Sequence, residues 1–260
     1  MVRHQEGMTV IALRQFENEL ELSENAICAR ILERHRDVID VRKDRVAITN
    51  LARIMQATLK LSNKTGFHAM SMRELAKEAG MSMGGLYVYV ANKTVLLSMI
   101  LREVTETTIG VMNAPPEDVV DDPRAHLRWL IEVHLRLSEE MTPWFAFAFI
   151  EAKSFPVAEQ RYAIEAEETS GRIIADVLEQ GMEAGVFARR DAGLVSALIK
   201  PLLQDWYVKR AKYRKRGTTL DQYGDAVIDL IENAFVPEAS HSSENAVETD
   251  LSLARAGARV

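Results

Sequence analysis

The sequence contains few of the residues that would indicate a secreted or membrane-spanning protein. Cys28 is the single cysteine, so an intramolecular disulfide and a paired-cysteine metal or redox motif are both excluded. The longest apolar runs, such as residues 143–150, fall short of the roughly 20 residues that a membrane helix needs. No secretory signal is visible at the start of the sequence. We therefore expect a cytoplasmic protein that has no membrane partner.

Glycine and proline are also scarce, with 13 and 7 residues, and they lie between segments of helical periodicity rather than inside them. This placement of glycine and proline, together with the lack of a convincing strand pattern, predicts an all-α protein. Pro201 lies inside one predicted helix and predicts a kink there. The predicted helices run over residues 11–20, 24–38, 45–61, 72–79, 83–90, 93–111, 123–138, 142–150, 156–185, 191–216 and 219–235.

Two short predicted helices lie close together near residue 80. Ser71 and Glu74 have the spacing of a capping box, which starts the first helix, and Gly80 favours a left-handed turn after it. Ser82 can cap the second helix. Two short helices joined by such a turn form a helix-turn-helix, whose second helix offers its N-terminal end to the major groove of DNA.

The charge distribution supports this interpretation. The whole chain carries a formal net charge of −6, which disfavours binding to nucleic acid. Between Asp44 and Val104, however, eight basic and four acidic residues give a net charge of +4, and the remainder carries −10. A basic DNA-reading head on an acidic body would show this division.

The segment from Arg45 to Val104 resembles the DNA-binding domain of TetR/AcrR-type repressors. The motifs that match are Thr65-Gly66, Ser71-Met72-Arg73-Glu74-Leu75-Ala76, Ala79-Gly80-Met81-Ser82, Gly84-Gly85-Leu86-Tyr87-Val88-Tyr89-Val90 and Asn92-Lys93-Thr94-Val95-Leu96-Leu97. The resemblance implies an all-α fold, with an N-terminal three-helix helix-turn-helix domain and a larger helical domain that binds a ligand and dimerises. It also implies that a homodimer binds a double-stranded DNA operator.

The resemblance, together with the local positive charge, implies a set of residues that contact DNA. Val90 stands where the family usually has phenylalanine, and Gly85 where it usually has a small hydroxyl residue or alanine. Two successive glycines weaken the recognition helix by up to about 1 kcal/mol each and leave base readout to few side chains. The predicted DNA-binding residues are Arg45, Ser71, Arg73, Ser82, Met83, Gly84, Gly85, Tyr87, Tyr89 and Lys93.

The second half of the chain is rich in aromatic residues at helical spacing. Each one is individually more typical of core packing, but together they suit an apolar ligand between helices. The basic run over residues 209–216 is interpreted first as a solvated helix end, and alternatively as a phosphate-binding rim for an acyl-CoA-like ligand. The predicted effector-binding residues are Trp129, Trp144, Phe145, Phe147, Phe149, Tyr162, Trp206 and Arg210.

These patterns lead to one main hypothesis, a homodimeric, ligand-responsive transcriptional regulator, most simply a repressor that a small apolar effector releases from its operator. The predicted dimer interface comprises the helices over 191–216 and 219–235. No catalytic residue, cofactor or metal site is predicted, since His126 and His134 lie eight residues apart with no evident third ligand. The predicted domains are a partly helical or flexible extension over 1–43, a DNA-binding domain over 44–104, an effector and dimerisation domain over 105–236, and a disordered tail over 237–260.

Two alternatives remain open at this stage. A helical interaction module that has lost DNA binding would account for Val90 and for the doubled glycine. An enzyme is disfavoured, because no nucleophile–base pattern or phosphate loop is evident.

Overall fold

The computed structural model describes residues 22–39 and 41–235, and every regular element within those ranges is a helix. The all-α prediction is therefore confirmed. The helix expected over residues 11–20 and the tail expected over 237–260 lie outside the described residues.

The N-terminal head is built from four helices around a small apolar core. Leu51 and Met55 of the second helix pack against Leu75 and Leu86 of the helix-turn-helix, and all four side chains are fully buried. The first helix is shorter than predicted, because the chain turns after its end instead of continuing to residue 38. The four helices are α1 (Glu24–Arg34), α2 (Asp44–Thr65), α3 (Met72–Glu78) and α4 (Met83–Tyr87).

The body consists of longer helices that pack around α9 and its neighbours. α9 contacts α5, α7 and α10, while α12 lies along α7. α5 begins in the head, where the Asn92 side chain caps it, and continues into the body. The body helices are α5 (Lys93–Met112), α6 (Glu117–Val120), α7 (Pro123–Glu140), α8 (Thr142–Glu151), α9 (Val157–Glu183), α10 (Ala192–Val208), α11 (Arg210–Arg216) and α12 (Leu220–Phe235).

Two more of the predicted helices, 191–216 and 83–90, end at different residues in the structure. α10 continues through Pro201 and ends at Val208, so the break in the 191–216 segment falls at Lys209 and not at the proline. Pro201 and Ala197 are both exposed, so water can solvate the Ala197 carbonyl that the missing proline N–H leaves without a helical donor. α4 ends at Tyr87 instead of Val90, since the chain turns there and the backbone N–H groups of Tyr89 and Val90 both bond to the Leu86 carbonyl.

Helix α1 joins the head to α5 through a buried carboxylate. Glu103 of α5 is fully buried and accepts a 2.9 Å hydrogen bond from Arg30 Nε, and it also pairs with Arg34. Arg34 Nε lies 2.5 Å from Glu106, and the Thr107 hydroxyl donates to Glu103 at 3.2 Å. We call the contacts of Glu103 with Arg30 and Arg34 the brace between α1 and α5. Since α1 also packs along α2, the brace connects the first helix of the head to the helix that leads into the body.

Within residues 22–39 and 41–235, no helix combines the length and the apolar character that crossing a membrane would require.

Candidate DNA-binding surface and ligand cavity

The first helix of the helix-turn-helix starts with the predicted capping box. Ser71 Oγ accepts a 3.2 Å hydrogen bond from the Glu74 amide, and Glu74 Oε2 accepts from the Ser71 amide at 2.8 Å. The Ser71 hydroxyl also donates to Glu74 Oε2 at 2.7 Å, and these bonds from Ser71 lower the pKa of Glu74. A phosphate contact from Ser71 would therefore have to replace one of its bonds to Glu74. Arg73, in the same turn, and Arg45, near the start of α2, are exposed.

The turn between α3 and α4 is held by Arg53, a residue that lies outside the helix-turn-helix motif. Gly80 has the predicted left-handed backbone conformation, with φ +65°. Arg53 of α2 donates from Nη2 to the Gly80 carbonyl at 2.7 Å. The positive φ angle is what requires glycine at this position; a Cβ atom there would lie 2.7 Å from the same nitrogen, so the Arg53 guanidinium would also have to shift. Sequence reasoning missed this role of Arg53, since no spacing rule connects residues that lie 27 positions apart.

Helix α4 presents a small and mostly backbone-lined surface. Ser82 Oγ caps it by accepting from the Gly85 amide at 3.1 Å, while the buried Leu86 holds it against the head core. A Cβ atom at Gly84 would meet nothing within 4 Å, and this residue is exposed beside Ser82. Met83 is half-buried against the core. The N-terminal end of α4 therefore offers backbone and one hydroxyl group more than long side chains.

The two tyrosines assigned to phosphate have different environments. Tyr87 is 49% exposed, whereas Tyr89 is only 6% exposed. The Tyr89 hydroxyl oxygen accepts a 2.8 Å hydrogen bond from Asn50 Nδ2 of α2. The Tyr89 ring therefore packs in the head, and only its hydroxyl hydrogen remains for a phosphate. Tyr87 has the exposure that the predicted contact needs.

Lys93 lies at the start of α5 and holds the loop that follows α2. Its Nζ donates to the His68 carbonyl at 2.8 Å and lies 4.9 Å from the centroid of the Phe67 ring. Burial lowers the pKa of Lys93, and the negative charge of Glu151 opposes that shift. Lys93 therefore combines a structural contact with the position that the motif assigns to DNA.

The same loop connects the head to α8 of the body. The Phe67 amide donates a 2.8 Å hydrogen bond to the buried Glu151 carboxylate, and the Phe67 ring meets the Phe147 ring edge-on at 5.3 Å. Both partners lie on α8. We call these two contacts of Phe67, with Glu151 and with Phe147, the α8 latch.

A cavity of about 780 Å³ lies between α5, α8, α9 and α10 of the body. Most of its wall is apolar, and Phe145 and Phe149 belong to it, as the effector prediction requires. Other apolar wall residues come from helices that are distant in sequence. They include Leu101, Val104, Ile109, Ala148, Ala163 and Ile164.

The other six residues predicted for the effector site do not line this cavity. Trp129 and Trp144 are buried, and Phe147 belongs to the α8 latch. The Arg102 guanidinium lies 4.7 Å from the centroid of the Tyr162 ring. The indole N–H of Trp206 donates to Glu139 at 3.0 Å. The physical reason is that aromatic residues at helical spacing mostly fill the core.

Arg210, the sixth of these residues, is held by acidic partners. Its guanidinium donates to both oxygens of Glu139, at 2.7 and 2.8 Å, and lies 4.4 Å from the centroid of the Trp206 ring. Lys209 and Lys212 in the same basic run pair with Asp205. None of the three lysine and arginine side chains lines the cavity. This arrangement favours a helix-end role for the run over a phosphate-binding rim.

Two of the buried polar side chains that line the cavity, Lys200 and His134, carry nitrogen groups, and the sequence analysis assigned neither to it. Lys200 of α10 is 6% exposed, donates to Ser170 Oγ at 2.7 Å and lies 3.2 Å from Glu167. His134 of α7 is 3% exposed, and burial together with the Lys200 charge lowers its pKa to about 3. A lysine inside the apolar pattern of residues 192–208 is the signal that could have identified this site.

Two family profiles match the chain in the order of its two regions. The profile described as "Bacterial regulatory proteins, tetR family" matches residues 54–100, and the profile "Tetracyclin repressor-like, C-terminal domain" matches residues 120–234. Together the two matches span more than half of the chain. The chain belongs to the TetR family of transcriptional regulators, which bind DNA through a helix-turn-helix.

Individual relatives agree with this assignment. The HTH-type transcriptional repressor KstR of Rhodococcus jostii (strain RHA1) is 33% identical over 100 residues, covering 37% of this chain and 47% of that protein. The chain thus spans about half the length of the curated relatives it matches.

Solved structures share the fold. The TetR family regulator PfmR from Thermus thermophilus aligns with a TM-score of 0.57 at 24% identity, covering 69% of this chain and 96% of PfmR. The ketosteroid transcriptional regulator KstR2 of Mycobacterium tuberculosis aligns with a TM-score of 0.61 at 22% identity, covering 77% of this chain and 99% of KstR2.

Proposed function

We propose that this protein is a homodimeric transcriptional repressor that a small apolar effector releases from its DNA operator. The observation that carries the proposal is the double role of α8. Phe145 and Phe149 on this helix line the body cavity, while Phe147 and Glu151 form the α8 latch with Phe67 of the head. One helix thus contacts both a ligand-sized cavity and the loop next to the DNA-binding motif.

The proposed DNA surface comprises the exposed part of the predicted set. Ser82, Gly84 and Gly85 place the N-terminal end of α4 at the major groove, with Met83 beside them and Tyr87 on a flanking phosphate. Lys93, Ser71, Arg73 and Arg45 contribute further phosphate contacts, and Tyr89 acts mainly through packing. Their positive charge provides the salt-dependent part of the affinity.

The proposed coupling passes through the α8 latch. A ligand that presses on Phe145 or Phe149 moves α8, and the hydrogen bond from the Phe67 amide to Glu151 transmits that movement to the loop that Lys93 also holds. The ligand can shift DNA affinity only by as much as its own affinity differs between the two arrangements.

The proposed dimer interface is the exposed apolar face of α10 and α12. Leu194, Leu198 and Leu230 are 59%, 60% and 57% exposed. Leu194 and Leu198 lie one helical turn apart, so they form a stripe that a second copy can cover about a two-fold axis. Leu198→Glu is expected to give a monomer by sedimentation velocity.

The test of the DNA-binding role is a gel-shift titration with the DNA upstream of the protein's own gene. Tyr87→Ala and Lys93→Ala are each expected to weaken binding, since each would remove one phosphate contact. Lys93→Ala should also lower the salt dependence, because only the lysine carries a charge. Val88→Ala is the matched control, because Val88 is 45% exposed on the same segment and donates no hydrogen bond from its side chain.

Binding that both variants leave unchanged, with the same salt slope, would contradict the repressor proposal. In that case the alternative of a helical interaction module, which the doubled glycine at Gly84 and Gly85 favours, would take its place. The relatives above are named as transcriptional regulators, which are not enzymes.

A further inference from the structure

The cavity contains a polar pair that differs from the rest of its wall. His134 reaches it from α7 and Lys200 from α10, and both side chains are more than nine-tenths buried. The two groups are close enough for the Lys200 charge to influence the imidazole. Most of the other wall residues carry only apolar side chains or short hydroxyls.

The His134 imidazole has hydrogen-bonding capacity that the protein does not use. Among the described residues, neither Nδ1 nor Nε2 has a hydrogen-bond partner, although both atoms are buried. The nearest ring is Phe145, which it meets edge-on at 5.8 Å. A neutral imidazole offers one N–H donor and one acceptor, and burial without a partner is unfavourable for both. The imidazole therefore provides a polar contact for a molecule in the cavity.

Lys200 brings a positive charge to the same part of the cavity. Its ammonium group has three N–H donors, of which the Ser170 hydroxyl and the Glu167 carboxylate account for two. Glu167 is half-exposed, and its other carboxylate oxygen accepts a 3.1 Å hydrogen bond from Gln204 at the surface. Glu167 can therefore turn towards solvent while another carboxylate takes its place beside Lys200.

We propose that the ligand of this cavity is an apolar molecule with a single carboxylate, and that this carboxylate binds Lys200 and His134. Its hydrocarbon part lies along the wall formed by Leu101, Val104 and Phe145. This inference rests on the proposed function for its regulatory consequence, but the site itself does not depend on DNA binding.

The charged side chains of the cavity wall disfavour two other classes of ligand. A quaternary ammonium compound would place its cation beside the buried Lys200, which is electrostatically unfavourable. A coenzyme A ester would place its phosphates at the exposed side of the cavity, near Glu167 and Glu168. Lys153 is the single cation among the charged wall residues at that side. A free carboxylate avoids both, since its charge is attracted to Lys200 and it has only to displace the half-exposed Glu167 from that lysine.

The test is calorimetric titration of the full-length protein with probes that differ only in their head group. Dodecanoate and lithocholate sample a linear and a polycyclic hydrocarbon, and the methyl ester of each removes the charge. Each carboxylate that binds is expected to bind at least about tenfold more tightly than its ester, the effect of one charge-assisted hydrogen bond. The proposal is overturned if neither carboxylate is preferred to its ester, or if dodecyltrimethylammonium binds more tightly than dodecanoate.

Three variants assign the head-group contacts. Lys200→Met is expected to remove the preference for the carboxylate and to leave ester binding unchanged. Lys153→Met is the matched control, since it removes a cation from the exposed part of the same wall and should keep the preference. Glu167→Gln changes a half-exposed residue and should strengthen carboxylate binding several-fold, because the internal competitor loses its charge. If Lys200→Met fails to fold, an unchanged affinity in Glu167→Gln still contradicts the proposal.

A gel shift in the presence of the preferred carboxylate separates this inference from the proposed function. Release of DNA supports both. Tight carboxylate binding with unchanged DNA affinity supports the site and contradicts the effector role. DNA binding without any preference for carboxylates contradicts the site and leaves the DNA-binding role intact.

Discussion

The head and the body of this protein carry their functional surfaces in different ways. The proposed DNA-binding surface comes mostly from one segment, residues 71–93, in which caps and a glycine turn set the geometry locally. The cavity instead comes from α5, α7, α8, α9 and α10, which span about a hundred residues of sequence. Local sequence signals can therefore identify the first surface, whereas the second exists only after the helices have packed.

The strongest expected effect comes from a cavity-creating substitution in the core of the head. Leu86→Ala removes a fully buried side chain from a helix of five residues and should lower the free energy of unfolding by about 2–5 kcal/mol. DNA binding should be lost, while calorimetric ligand binding in the body persists. Thermal unfolding and gel shifts measure both effects, with the exposed Val88→Ala as the control. Loss of ligand binding together with DNA binding would show that head and body do not act as separate units.

The next effect concerns the brace between α1 and α5. Glu103→Gln leaves Arg30 and Arg34 without their buried counter-charge and should cost about 1.5–3 kcal/mol of stability. Glu106→Gln is the matched control, because Glu106 also pairs with Arg34 but is partly exposed, and a surface ion pair contributes about 1 kcal/mol or less. Denaturant unfolding of both variants tests the difference, and equal losses would contradict a special role for Glu103.

A pH-dependent effect of similar size is expected in the body. Burial would raise the pKa of Glu232, but hydrogen bonds and charge from Arg128 and Arg124 outweigh it and lower the pKa to about 2. Glu232 therefore stabilises the fold above its ordinary pKa near 4.5, and this stabilisation is lost as the pH falls from there towards 2. Glu232→Gln should cost on the order of 2 kcal/mol at neutral pH and flatten the acid branch of the stability profile. An unchanged acid branch would contradict the assignment, with the exposed Glu140→Gln as control.

The smallest effect tests the doubled glycine in α4. Gly84→Ala should raise stability by about 0.5–1 kcal/mol, because its added Cβ meets nothing within 4 Å and alanine favours a helix. Gly85→Ala should gain less, since its Cβ would lie 3.3 Å from Ser82 Oγ. If Gly84 allows close approach to DNA, the same variant that folds better should bind DNA less tightly. Unchanged DNA affinity would show that Gly84 does not lie close to the DNA.

The sequence predicted much of the head because its determinants are short-range. The Ser71 capping box, the left-handed Gly80 and the cap at Ser82 are all confirmed, and each depends on residues at most three positions apart or on one backbone angle. Local caps of the same kind occur at Asn92 and at Thr219, where Gln222 is the partner.

The body was predicted less well because its important contacts join distant segments. The hydrogen bond from Phe67 to Glu151 spans 84 positions, and the meeting of His134 with Lys200 depends on how α7 packs against α10. Aromatic content indicated a cavity but could not show which rings fill the core and which face the open space. Lys200 is a lone lysine in the otherwise apolar pattern of residues 192–208, which indicates a polar site. The sequence could not show that His134 is the residue near it.

The brace at Glu103 has a mechanical consequence. Because α1 contacts both α2 and the first half of α5, we expect the head and that half of α5 to move as one rigid unit. Any change in the separation of two heads in a dimer would then require rotation about a pivot beyond Glu106. Gly110 lies in that second half of α5, where an added Cβ would meet nothing within 4 Å, so one face of the helix is open at the place where such a rotation would occur.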